Sequence, residues 1–208
     1  MLNPVFKHSL RHFFAFYILL TIPLVTLAET SEDYVKLAEQ AFEKSDIVSS
    51  MNYYRKAANN GYAPAQNRLA YLLDKSEENE EAIEWYKKAA SQDEPEAQFN
   101  LARLYAAGEG IKQDTVQAYH LFKMSAEKMY APAIRVLALA NEKGQLGQRV
   151  DYEQSQYWLQ RGREINDYWS IKRLAKAYSD GELGLRIDQE KSHELEQLLQ
   201  PLLKQSEQ

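Results

Sequence analysis

Apolar and small residues return along this chain in evenly spaced blocks. The dipeptide Leu-Ala stands at Leu37-Ala38, Leu69-Ala70, Leu101-Ala102, Leu137-Ala138 and Leu174-Ala175, in steps of 32, 32, 36 and 37 residues. A second track of small residues, Ser50, Ala82, Ala118, Ser155 and Ser192, steps by 32, 36, 37 and 37. Within a block the apolar positions have helical spacing, as in Ala97, Leu101, Leu104 and Tyr105. Two tracks sharing a period of this size predict an all-α solenoid of about five helix pairs.

Each unit reads as two helices. Pro64, Pro95 and Pro132 stand where first helices begin, and proline suits a first turn because its missing N–H has no partner there anyway. Second helices carry bulky residues followed by small ones: Tyr53-Tyr54 then Ala57-Ala58, Trp85-Tyr86 then Ala89-Ala90, Leu121-Phe122 then Ser125-Ala126. In the fourth unit Trp158-Leu159 and Gly162 take these places. Large against small lets antiparallel helices interdigitate. Glycines at 108 and 110, 144 and 147, and 181 and 184 mark the loop between the two helices of units three to five. No Gly-Lys-Ser/Thr follows them, so they read as turn residues and not as a phosphate cradle. Asp114, Asp151 and Asp188 stand at the expected N-caps, with Gln117 and Gln154 placed three residues on as in a capping box. In the last helix Leu195, Leu198, Leu199, Leu202 and Leu203 form one stripe that would close the solenoid, with Pro201 expected to end or bend it.

The unit spanning residues 97–126, AQFNLARLYAAGEGIKQDTVQAYHLFKMSA, resembles the Sel1-like repeat, a relative of the tetratricopeptide repeat. Ala102 replaces a glycine of the family pattern and Gln117 a lysine. Ala82-Ile83-Glu84-Trp85-Tyr86-Lys87-Lys88-Ala89-Ala90 supplies the family's aromatic pair and Lys-Ala-Ala ending. The resemblance covers residues 31–203, as units 31–62, 63–94, 95–130, 131–166 and 167–203, the first and last degenerate. It implies a right-handed superhelix of helix pairs that binds partners, most often proteins, with first helices lining a concave groove.

Composition narrows the setting. Apolar residues make up 45% of the 208, enough for a packed protein, and there is no cysteine for disulfides, thiolate metal sites or acylation. Lys7, His8, Arg11 and His12 precede an apolar run from Phe13 to Leu27 that ends at Ala28. That order predicts a signal peptide over residues 1–28, with cleavage before Glu29. The alternative is a retained anchor, for which the run is short of the ~20 residues of a span. Removal of 1–28 leaves 23 Lys+Arg against 30 Asp+Glu, net −7, which argues against general nucleic-acid binding.

No nucleophile–base or metal-ligand constellation stands out. His120 and His193 are isolated, and the acidic run Glu77-Glu78, Glu80-Glu81 and Glu84 sits at a helix start, where negative charge is favourable. The sequence therefore predicts no enzyme, no cofactor and no metal. The groove is the candidate site. Positions two before, one before and two after the Leu of Leu-Ala would face it: Asn67, Arg68 and Tyr71; Phe99, Asn100 and Arg103; Arg135, Val136 and Leu139; Lys172, Arg173 and Lys176. None is acidic, whereas unit one offers Val35, Lys36 and Glu39. The partner contacts are assigned to Asn67, Tyr71, Asn100, Arg103, Arg135, Lys172, Arg173 and Lys176. Such a groove, basic in its C-terminal half, suits an acidic protein segment, a C-terminal carboxylate or an anionic glycan. The plainer reading is that Lys and Arg are good helix formers at a surface. The expected function is a periplasmic or secreted, non-enzymatic adaptor for a cell-envelope protein. A glycan-binding or glycan-processing accessory protein is the alternative, and contact with the membrane is expected only through an uncleaved N-terminus.

Overall fold

The computed structural model describes residues 30–205. The segment read as a signal peptide lies outside the described residues. Ten α-helices follow one another: α1 (Ser31–Glu43), α2 (Ile47–Asn59), α3 (Ala63–Lys75), α4 (Asn79–Ala90), α5 (Pro95–Ala107), α6 (Thr115–Glu127), α7 (Ala131–Lys143), α8 (Tyr152–Glu164), α9 (Tyr168–Asp180) and α10 (Gln189–Gln205), with no strand among the described residues. Each odd-numbered helix packs on the even one that follows it and on the even one before it. Packing thus runs from neighbour to neighbour, as in a solenoid.

Both periodic tracks go inside. Every member of the small-residue track is buried, and so is every Leu-Ala dipeptide apart from the half-buried Leu37. Tyr54, Trp85, Tyr86, Phe122 and Trp158 fill the space those small residues leave. Between repeats the chain turns through a left-handed residue at 61, 93, 129 and 166, and the next amide reaches back to a carbonyl five residues earlier, as Asp167 N does to Gly162 O at 2.9 Å. Non-glycine residues hold three of these four turns, so the turn is set by the packing of the helices it joins.

The capping pattern differs in one respect from the sequence expectation. Asp114 and Asp151 do cap α6 and α8, accepting from the Gln117 and Gln154 amides at 2.9 Å. No glutamine completes a box there, because the cap amides of Asp114 and Asp151 already donate to Tyr105 O and Asn141 O at the ends of the first helices. The complete box is at Thr30 and Asp33 instead. Pro201 also fails to end α10, which runs on to Gln205. Leu195 and Leu199 of its stripe are buried, but Leu198 and Leu203 are exposed.

In unit three the loop glycine folds onto the preceding repeat. Gly110 has φ +66°, and a Cβ there would sit 2.7 Å from Asn79 Cβ and 3.1 Å from Ile83 Cδ1. Gly110→Ala should therefore cost about 1–3 kcal/mol through overpacking and the left-handed backbone together. Chemical denaturation checks it; an unchanged midpoint would contradict this packing.

Candidate functional site

Side chains of successive first helices meet one another at several of the positions that the offsets single out. Asn67 and Asn100 are 2% and 7% exposed, and Asn100 Nδ2 donates to Asn67 Oδ1 at 3.2 Å. They form a rung between α3 and α5, with little surface to offer. Tyr71 is exposed, with Lys75 Nζ 5.5 Å above its ring.

The basic half of the face is largely matched by acids that the offset rule did not count. Arg135 grips Asp167 with Nε at 2.9 and 3.1 Å from the two carboxylate oxygens and with Nη2 as well. Asp167 is the N-cap of α9, accepts from Ser170 N at 2.9 Å and Ser170 Oγ at 2.7 Å, and is only 6% exposed. Burial pushes its carboxyl up, but the bonds from Arg135 and Ser170 outweigh that and hold it below the usual carboxylate range. Arg173 donates to Glu142 of α7 at 2.9 and 3.1 Å, and Glu182 approaches the same guanidinium at 2.8 Å without hydrogen-bond geometry. Lys176 pairs with Asp180 and with Glu182, the latter at 2.9 Å. Charge at these three positions thus ties α7 to α9 and α9 to its following loop. Among the described residues, Lys172 and Arg103 make no ion pair, and Lys172 lies 5.7 Å over the Tyr168 ring.

Arg103 stands at an open depression of about 530 Å³ between α5, α6 and α7. Phe122, Val136, Leu139, Ala140 and Leu146 give it an apolar lining, and Glu109 and Gln145 stand with Arg103 as its polar members. Three of the predicted groove positions, Arg103, Val136 and Leu139, come together here. At the N-terminal end two smaller depressions adjoin, sharing Glu39, Tyr54 and Arg68.

Other polar contacts escaped the sequence reading. Gln66 Nε2 donates to Ala58 O at 3.1 Å and Gln98 Nε2 to Ala90 O at 3.3 Å, so each reaches back to the end of the preceding second helix. Their spacing of 32 residues equals the repeat step and was the available signal; Ile134 and Ile171 take the place in later units. Glu81 of the acidic run is bonded to Arg55 and to Trp85 Nε1, and those bonds draw its carboxyl below the ordinary range. Among the described residues no three or more His, Cys, Asp or Glu side chains are grouped to hold a metal ion. No helix among them is long and apolar enough to cross a membrane.

Nearest-neighbour helix pairs with a shared row of first-helix side chains define a tetratricopeptide-like repeat protein. The Sel1 repeat family model matches residues 37–62, 63–94, 95–128, 131–167 and 170–195, and the chain belongs to the Sel1 repeat family. Among solved structures, a Sel1 repeat protein from Oxalobacter formigenes superposes with a TM-score of 0.71 at 26% identity, covering 83% of this chain and 71% of that one. A protective antigen of uropathogenic Escherichia coli with an SLR fold gives a TM-score of 0.74 at 27% identity, over 84% of this chain and 38% of its own. An uncharacterized protein of Neisseria meningitidis serogroup B is 29% identical over 121 residues, 58% of this chain. This chain spans 26% of the length of that relative. A scaffold of this kind typically serves protein–protein interaction.

Proposed function

We propose that this chain is a non-enzymatic adaptor of the cell envelope, periplasmic or secreted, that holds an acidic segment of a protein partner along its first-helix face. The observation that carries the reading is Arg103, a cation with no ion pair or hydrogen bond among the described residues, beside the apolar lining of the central depression. A guanidinium that makes no ion pair among the described residues, next to apolar surface, is a docking point for a carboxylate flanked by an apolar side chain. Arg135 and Arg173 tie α7 to α9, and Lys176 ties α9 to its following loop.

A synthetic peptide with blocked ends, Gly-Glu-Phe-Asp-Gly, tests this on the purified protein by fluorescence anisotropy. It should bind, weaken with added salt, and weaken roughly tenfold with Arg103→Glu. Binding that ignores both salt and Arg103→Glu would refute the assignment of this depression. If the peptide fails while a polyanionic glycan binds through Arg103, the glycan-accessory alternative replaces it.

A further inference from the structure

The N-terminal end of the same face carries the opposite charge. The two adjoining depressions there measure about 260 and 310 Å³. Phe42 and Tyr71, 49% and 36% exposed, line the first. Glu94 and Glu96, at the start of α5, line the second, and Glu39 belongs to both. The lining cation, Arg68, lies 4.0 Å from Glu96, and Glu39 and Glu94 make no ion pair among the described residues. This end of the face therefore has carboxylates in excess of cations, beside exposed aromatic surface.

The chemistry of neighbouring groups agrees with that excess. Burial and then the Glu96 charge push the Glu94 carboxyl up. Burial and then Glu39 push the Tyr54 hydroxyl up. Asn67 lines the second depression, and its Oδ1 accepts from Asn100 Nδ2 at 3.2 Å.

We propose that this end of the face takes a basic segment of a protein partner, an apolar or aromatic side chain covering Phe42 and Tyr71 while an adjacent Lys or Arg meets Glu39 and Glu94. Charge complementarity selects that occupant: an acidic segment would be repelled by the same carboxylates, and a purely apolar one would leave them unanswered. The inference rests on the adaptor reading for its premise that the occupant is a protein segment. It adds that the face is polar from end to end and reads two segments of opposite charge.

The test uses the purified protein with two end-blocked peptides, Gly-Lys-Phe-Arg-Gly and Gly-Glu-Phe-Asp-Gly, followed by anisotropy at low and high salt. The basic peptide should bind in a salt-sensitive way, weaken roughly tenfold with Glu39→Gln/Glu94→Gln, weaken again with Phe42→Ala, and be indifferent to Arg103→Glu. These side chains are wholly or partly exposed, so melting curves should overlay and a binding loss reports the site. Failure of the basic peptide to bind, or equal binding to the double variant, overturns the inference. If the acidic peptide still binds through Arg103, the adaptor reading survives that failure; if neither peptide binds, both fall.

Discussion

Gly162→Val is expected to be strongly destabilising. Even a Cβ at this position would lie 2.1 Å from Ser170 Oγ and 2.5 Å from Ser170 Cβ, well inside contact distance. Neither helix can step aside cheaply. Gly162 O accepts the turn amides of Ile165 and Asp167, and Ser170 Oγ is bonded to the buried Asp167 carboxylate. Overpacking ordinarily costs about 1–3 kcal/mol, and a clash between two tied helices belongs at or beyond the upper end. For a chain of this size that lowers the melting temperature by on the order of 10 °C, measurable by circular dichroism. Ser170→Gly in a Gly162→Ala background should recover part of the loss, because it removes both clashing atoms. No recovery would mean that α8 and α9 do not approach here as described.

Asp167→Ala is the second large expectation. One carboxylate caps α9 and anchors Ser170 and Arg135, so its removal leaves the Ser170 amide, the Ser170 hydroxyl and the Arg135 guanidinium without their partner. Breaking a fully buried pair costs about 3–5 kcal/mol. The Arg135 side chain is 43% exposed and can rehydrate, so about 2–3 kcal/mol is expected here. The same geometry sets a pH dependence. The folded carboxyl titrates below its unfolded value, so its contribution is complete above about pH 4 and is lost as pH falls through the folded value. Wild-type stability should fall over that acidic range more steeply than that of Asp167→Asn, which has lost the ionisable group already. Parallel curves would show that Asp167 is not held by Arg135.

The architecture was legible because its signals repeat. A Leu-Ala pair and a small residue returning every 32–37 positions survive local noise, and apart from the half-buried Leu37 their members are buried in every unit. The face was harder to read. Offsets along a helix place a side chain on one side of that helix and say nothing of the next helix over. Arg135 therefore read as a free cation, although Asp167, 32 residues away, is its partner through the N-cap of the following first helix. Arg173 read the same way, although Glu142 lies opposite it on α7. Asn67 and Asn100 looked like groove amides, but the short step between α3 and α5 brings them within hydrogen-bond distance of each other. Arg103 makes no ion pair among the described residues, and Val136 and Leu139 lie with it at one depression. Pro201 was read from proline's general effect on helices, which α10 tolerates close to its end.

Site-specific photocrosslinking in living cells tests the adaptor claim most directly. Probes belong at Arg103 and Leu139 in the central depression, with controls at Lys87 and Lys123 on exposed faces of α4 and α6. The predicted result is one discrete protein adduct shared by the two depression probes, absent from the controls and lost when Arg103→Glu is combined with the probe at Leu139. An adduct caught equally from the control positions, or no protein adduct from either depression probe, would contradict the claim that this face holds a protein partner.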